Sequence, residues 1–340
     1  MTTVKAPGGV DASVPTSGTA PTDPGLASQA VVPAVGVAAV PAVGTMSTTQ
    51  TGLSSATASP RQRATGIALA LGSSASNQAG AALGALAFPT IGPVGVVAVR
   101  QLITALVLVP TVRPRLRGLR SDVWWPVIAL ACVFSLMNLS LYAAIDRIGL
   151  GLAVVLEFLG PLAVAIAGSR RAADIGCAVL AGIGVAVLTD PGPATDVLGI
   201  ALALVAAVGW ASYILLNRAL GQRLPGIRGT ATAAAVTAGA WLPVAAVWFA
   251  FHPPTVGALA LAAACGLMSS VVPYVSDLLS LRRVPAPLFG TVASVGPVWA
   301  ALAGTVALHQ HLAVAQWTGL AMIVLSNVVV AGRGVLARRR

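Results

Sequence analysis

The sequence predicts an all-α membrane protein in which ten transmembrane helices form two inverted five-helix repeats, and three observations lead there. Of its 340 residues 57% are hydrophobic and only 9% charged, a composition outside the range of soluble domains. The basic residues collect in alternate gaps between the apolar segments. A glycine–proline step also recurs: Arg147, Gly160, Pro161 and Gly168 are matched 136 residues later by Arg283, Gly296, Pro297 and Gly304, with Ala165/Ala301 and Ala167/Ala303 in register. Duplicated, proline-interrupted apolar segments point to a binding site between two repeats of a transporter.

Residues 1–62 are rich in Ala, Pro, Thr, Ser, Val and Gly and nearly free of charge. They lack the basic start of a cleaved signal peptide and read as a disordered cytoplasmic tail, with Met46 available as a later start. The first repeat, 63–193, holds apolar segments at about 66–88, 91–112, 124–145, 149–168 and 174–190. The second, 194–335, holds segments at about 197–217, 230–251, 256–281, 285–308 and 315–334, and residues 336–340 are a basic tail. Most segments approach the ~20 residues that cross a bilayer core, and the fifth is short.

Each segment has its own signal. The first carries Ser73, Asn77, Gly80 and Gly84 on one stripe with Gln78 beside it, a small-residue spacing that lets helices approach. Its polar side chains line a cavity or hydrogen-bond helices together. Trp124, Trp125 and Trp317 open the third and tenth segments as interfacial anchors. In the fourth, Pro161 lacks an N–H and crowds the preceding turn, so the carbonyl of residue 157 loses its usual partner. The ninth repeats this step at Gly296 and Pro297. Because each half has five segments, the second enters the membrane with the opposite orientation.

With the N-terminus taken as cytoplasmic, 18 of the 20 Lys and Arg fall on the inside; the outside loops hold only Arg147, and Arg100 lies within the second segment. This is the positive-inside pattern, and one segment more or fewer would scatter it. The net charge of +11 is therefore a topology signal with contacts for anionic lipid headgroups. It is not a nucleic-acid footprint, since no basic stripe interleaved with aromatics or zinc spacing accompanies it. Cys132, Cys177 and Cys265 all fall inside segments without a CxxC and read as packed, reduced thiols. His309-Gln310-His311 reads as an outside surface loop and a poor metal site.

Charged groups at bilayer depth are costly and mark functional positions, and there are three. Glu157, the single Glu of the chain, stands one turn before Pro161 and shares a mostly small face with Gly160, Val164 and Gly168. Low dielectric disfavours its charged form, which suits a group that loads and releases a proton. The alternative is a structural ion pair with Arg100. Arg100 itself is either a bidentate clamp for a substrate carboxylate or charge balance for Glu157 or Asp277. Asp277 lies five residues before Arg282, with Pro273 and Tyr274 on its face. Tyr274 is the repeat counterpart of Asn138, which pairs with Tyr142 at i+4 spacing. Trp210 and Trp299 lie deeper and either stack on substrate or pack the core.

The run Met137-Asn138 through Tyr142, the block from Gly151 through Glu157-Phe158-Leu159-Gly160-Pro161 to Ala165, and Ser169-Arg170-Arg171 resemble the threonine/homoserine exporter family. So do Gln78, Phe88-Pro89, Gly95-Val96, Arg100, Pro273-Tyr274, Asp277 and Phe289-Gly290-Thr291. That family belongs to the drug/metabolite transporter superfamily, with paired EamA domains, and the resemblance spans about residues 65–335. It implies an inner-membrane exporter of small amino acids driven by the proton gradient, with both termini cytoplasmic. The chain departs from the family pattern at Ala85, Gly296 and His309-Gln310.

The resulting expectation is cargo contact by Asn77, Gln78, Arg100, Asn138, Tyr142, Trp210 and Tyr274. Proton exchange falls to Glu157 and Asp277, with helix kinks at Gly160-Pro161 and Gly296-Pro297. The partners expected are an amino acid, protons and membrane lipids, in a monomer or homodimer, with no cofactor, metal or nucleic acid. Rival readings are export of another metabolite or drug-like amphiphile, an integral membrane enzyme acting on lipid-linked substrates, or a membrane scaffold or sensor.

Overall fold

A computed structural model describes residues 60–113, 121–167, 172–189, 196–221 and 228–337. Within them all regular structure is helical. In chain order the helices are α1 (Pro60–Leu86), α2 (Phe88–Val112), α3 (Ser121–Ile148), α4 (Leu150–Glu157), α5 (Leu159–Ala167), α6 (Ala172–Thr189) and α7 (Val197–Gly221). Next come α8 (Arg228–Phe251), α9 (Val256–Gly266), a π-turn (Leu267–Val271), α10 (Val272–Leu281), α11 (Ala286–Ala293), α12 (Gly296–Ala307) and α13 (Val314–Ala337). Taking α4 with α5, α9 with α10, and α11 with α12, these occupy the places of all ten apolar segments. Among the described residues, eight segments are long and apolar enough to cross a membrane, and Ile175–Thr189 is a shorter apolar helix. The remaining one, α1, is 27 residues long but carries the Ser/Asn/Gln stripe.

Two boundaries differ from the sequence expectation. Residues 60–62, inside the stretch assigned to the tail, are helical and belong to α1. Helix α13 runs on to Ala337, into the stretch assigned to the basic tail. The rest of the expected N-terminal tail, residues 1–59, lies outside the described residues.

Both glycine–proline steps break their helices. Helix α4 ends at Glu157 and α5 resumes at Leu159, while α11 ends at Ala293 and α12 resumes at Gly296. Glu157 and Ala293 are themselves 136 residues apart. In each case the proline falls in the first turn of the second piece, where its missing N–H costs nothing. Helix α2 bends by a different device: Gly92 adopts φ +64° ahead of Pro93, which L-residues with a Cβ rarely tolerate. The indole N–H of Trp248 reaches across from α8 and donates to the Ile91 carbonyl at 2.8 Å.

The helices pack in pairs: α3 on α7, α1 on α9 and α10, α2 on α8, α6 on α13, and α4 on α12, with α1 also on α12 and α4 and α5 on α7. Close approach depends on small residues. Gly160 lies against the backbone of Ala207, and Gly209 against Met137. Hydrogen bonds fasten α1 to the π-turn and α10: Ser76 Oγ to the Met268 carbonyl (2.9 Å), Ser269 Oγ to the Asn77 carbonyl (2.8 Å) and Ser280 Oγ to the Gly66 carbonyl (2.7 Å). Gly80 and Gly84 of the stripe lie against Ser269 of the π-turn and Cys265 of α9, so this face of α1 packs on helices. At one end of the bundle Asp196 caps α7 by accepting from the Gly199 N–H at 2.8 Å and pairs with Arg147 at 3.0 Å. The Gly199 N–H and then the Arg147 guanidinium hold its carboxyl below the usual carboxylate range.

Candidate functional site

The two helix breaks meet near the middle of the bundle. The ring of Phe158, the residue at the α4/α5 break, lies over Gly296, and Ser74 of α1 stands beside the same point. Phe158 meets Trp210 edge-on with centroids 4.8 Å apart. Paired discontinuous helices of this kind are the arrangement from which transporter sites are built.

Around the break, buried polar side chains keep atoms without partners. Glu157 and Arg100 are 1% and 3% exposed. Nη1 of Arg100 donates to the Tyr142 hydroxyl at 3.1 Å, and the guanidinium carbon lies 5.4 Å from the centroid of that ring. The same hydroxyl is 3.0 Å from Cys265 Sγ. This chain ties α2, α3 and α9 together and fixes the guanidinium with Nη2 left free. Thr104, one turn on, donates to the Arg100 carbonyl at 2.8 Å and shares a hydrogen bond of 3.0 Å with Ser270.

Oε1 of Glu157 also lacks a partner. Arg100 acts on it electrostatically, yet no ion pair joins the two, so the structural salt bridge that the sequence allowed does not form. Asn138 donates to the Phe134 carbonyl at 2.8 Å, and its Oδ1 is unpartnered, as are Nε1 of Trp210 and of Trp299. Buried polar groups are almost always paired, and here several are left open on the elements about one helix break.

The expected residues do not all converge. Arg100, Tyr142, Asn138, Glu157 and Trp210 lie on the elements about the break. Asn77 and Gln78 are buried in α1, where the Asn77 carbonyl is taken by Ser269 of the π-turn. Asp277, on α10, is part-buried and faces Ser73, with Oδ1 unpartnered. The side chain of Tyr274 lies outside the described residues. A narrow cleft lined by Thr104, Leu130, Phe134, Tyr213 and Thr237 runs between α2, α3, α7 and α8, one turn from Arg100 and Asn138. Among the described residues no three His, Cys, Asp or Glu side chains group to hold a metal.

Several contributors had no strong sequence signal. Phe158, Cys265 and Ser270 act through tertiary contacts alone. Thr104 was legible only as the i+4 neighbour of Arg100. The His309-Gln310-His311 loop is not wholly surface: the side-chain carbonyl of Gln310 accepts from the Leu150 N–H at 3.0 Å. His309 makes the turn at φ +52°, which sends the next side chain back over α4.

Comparison with known proteins adds to this geometry. The sequence profile described as the EamA-like transporter family matches residues 197–332. Threonine/homoserine exporter RhtA of Salmonella typhimurium (strain LT2) is 34% identical over 265 residues, covering 76% of this chain and 87% of that protein. The protein of the same description from Escherichia coli (strain K12) is 33% identical over 268 residues, covering 77% and 90%. One solved crystal structure superposes with a TM-score of 0.52 at 21% identity, covering 80% of this chain and 98% of that one. That last likeness bears on the fold alone.

Proposed function

The chain belongs to the threonine/homoserine exporter family of EamA-like transporters, and from that premise we propose that it exports small amino acids of the threonine/homoserine type by proton antiport. It is a multi-pass membrane transporter and not an enzyme, which removes the lipid-linked-substrate reading.

Cargo binds between two five-helix repeats, 63–193 and 194–335, that cross the membrane in opposite senses with both termini cytoplasmic. The pairing of helices supports this. Numbering the ten segments in order, an exchange of each with the one five places on carries the α3–α7 contact onto α1 with α9–α10. It also carries α4–α5 with α7 onto α1 with α11–α12, and leaves α2–α8, α6–α13 and α4–α12 unchanged. Repeats related in this way alternate access by exchanging conformations.

The observation that carries the mechanism is the pair of free buried atoms beside one helix break, Nη2 of Arg100 and Oε1 of Glu157. The guanidinium, held through Nη1 by Tyr142, has a donor left for the cargo carboxylate. Asn138 Oδ1 and Trp210 Nε1 offer an acceptor and a donor for its amino and hydroxyl groups. Glu157 binds a proton when cargo leaves and releases it when cargo arrives, its charged form pairing with the ammonium of the cargo while Arg100 takes the carboxylate, so that proton and cargo exclude one another. Asp277, on a different interface, is the second proton candidate.

The test is counterflow of labelled threonine and homoserine in proteoliposomes, with and without a pH gradient. Saturable movement, accelerated by the gradient in the parent and not in Glu157→Gln, is the expected result. Gradient acceleration that survives in Glu157→Gln removes the proton role. Failure of either amino acid to move in folded protein shifts the cargo to another metabolite or amphiphile on the same fold.

A further inference from the structure

We propose that Gln310 latches a gate at one end of the transport path, formed where α4 crosses α12, and that this gate must part for cargo to pass. The proposal rests on the transporter reading above but on no particular cargo.

The crossing is made of small residues. A Cβ placed on Gly151 would lie 3.2 Å from Ala301 Cα and 3.6 Å from its Cβ, so the two helices touch backbone to backbone with no room for a molecule between them. Gln310 then spans the joint. Its Oε1 accepts from the Leu150 N–H at 3.0 Å, while its own N–H returns to the Gly304 carbonyl at 3.0 Å. One residue is thereby bonded to the first turn of α4 and the last turn of α12. The bonded amide belongs to a helix N-terminus whose preceding residue, Gly149, offers no side chain to cap it. Removing Gln310 leaves that N–H without its acceptor.

A cap that merely finishes a helix would be indifferent to the other end of the bundle. The repeat relation makes the two ends comparable. Adding 136 to Gly151 gives Pro287 on α11, and subtracting 136 from Ala301 gives Ala165 on α5. The crossing of α4 with α12 is therefore matched, at the opposite end, by α5 with α11. No comparable crossing is made there among the described residues: α5 packs on α6, α7 and α13, and α11 packs on α1, α10 and α13. One gate is shut and its counterpart is not, as an alternating-access protein requires in either end state. The distribution of arginines assigns the shut end to the outside. Gln310 spans the shut end, so it biases the equilibrium towards the state closed there.

The test reads opening directly. A cysteine replaces Ala301 in protein carrying Cys132→Ala, because Cys132 is exposed while Cys177 and Cys265 are buried. Labelling by a bulky thiol reagent is timed in purified, detergent-solubilised protein, where both ends are accessible. Loss of one hydrogen bond from the closed state should speed labelling about fivefold in Gln310→Ala. In Gln310→Glu, which keeps an acceptor for the Leu150 N–H, the rate should stay near that of the parent. Equal rates in Gln310→Ala and the parent overturn the latch. So does equal acceleration in Gln310→Ala and Gln310→Glu, which would mean general loosening. Both readouts are independent of cargo, so a protein that moves neither threonine nor homoserine still tests the gate. In liposomes that do move them, Gly151→Cys with Ala301→Cys places two Cβ atoms 3.6 Å apart, within disulfide reach. Oxidation should stop counterflow and reduction restore it; counterflow unaffected by a formed disulfide shows that the crossing need not open.

Discussion

Gly160 and Gly296 hold the same place in their repeats but face different obstacles, so the same substitution should have different consequences. In Gly160→Ala the new methyl would fall inside the contact distance of the Ala207 carbonyl oxygen, and 3.0 Å and 3.3 Å from the carbonyl carbon and Cα of that residue. The obstacle is backbone, which has no rotamer to change. Helices α5 and α7 must separate by about 1 Å to restore carbon contacts near 3.5–4.0 Å. Overpacking costs about 1–3 kcal/mol, and an immovable neighbour puts this case at or above the upper end. The helix preference of Ala over Gly offsets about 1 kcal/mol, leaving a net loss of about 2 kcal/mol or more.

In Gly296→Ala the methyl would meet Phe158 Cζ at 2.6 Å, the far end of a ring that can pivot. The loss is then part of its edge contact with Trp210, about 0.5–1.5 kcal/mol, nearly cancelled by the same helix preference. Thermal unfolding in detergent measures both, at about 2–4 °C per kcal/mol for chains of 150–250 residues. Gly160→Ala should melt several degrees below the parent and Gly296→Ala within a degree or two of it. Equal melting temperatures, or the reverse order, would refute the close approach of α5 to α7.

Tyr142→Phe strips Nη1 of Arg100 of its partner (3.1 Å) with Nη2 already free; leaving a buried donor unsatisfied costs about 1–3 kcal/mol, and more when it is charged. The melting temperature should fall, and the KM for counterflow should rise about tenfold as the guanidinium loses its orientation. Asp196 has its carboxyl lowered by the Gly199 N–H and Arg147. Its contribution is therefore full above the unfolded value of about 3.9 and fades as pH falls through the lowered folded value. A pH series of unfolding should show Asp196→Asn less stable than the parent at neutral pH, with the gap closing on acidification below about pH 4. His309→Gly relieves a left-handed residue (φ +52°) and should stabilise by about 0.5–1 kcal/mol, since the αL penalty of about 1–2 kcal/mol is partly offset by the freer unfolded glycine. An unchanged or lower melting temperature would mean that the imidazole makes a compensating contact.

The sequence made the helix breaks readable because proline acts locally: Pro161 and Pro297 impose their effect on the turn that carries them, whatever surrounds it. Arg100 and Glu157 were readable because charge is rare at bilayer depth. What joins these residues was not. Arg100 is held by Tyr142, 42 residues away, and Tyr142 by Cys265, a further 123 residues on. No periodicity encodes such a chain. Asn77 shares its stripe with Gly80 and Gly84, and hydropathy alone could not say whether that stripe faces a cavity or a helix. The π-turn at Leu267–Val271 decides it, and nothing in Leu-Met-Ser-Ser-Val announces a wider turn. Gln310 escaped for a similar reason, because its direction is set by the left-handed backbone of His309.

The two helix breaks match in backbone and differ in charge. Ala293, the counterpart of Glu157, is 2% exposed and packs in an apolar cluster with Ala70, Val284 and Phe289. Arg100 has no arginine 136 residues on, since Val236 stands there. Symmetric helix breaks suffice to give two gates of equal geometry, and a device that alternates needs both. The proposed proton site needs only one carboxylate at this step, and a second at Ala293 would put a charge among apolar side chains, costly wherever it is not used. Retaining the glycine–proline step twice and the acid once is thus what separate demands on gating and on coupling would produce. The gating demand is met by backbone chemistry that either half can supply. In the proposed mechanism the coupling demand is met on α2, α3 and α4, where Arg100, Tyr142 and Glu157 stand together, with Asp277 on α10 as the second candidate.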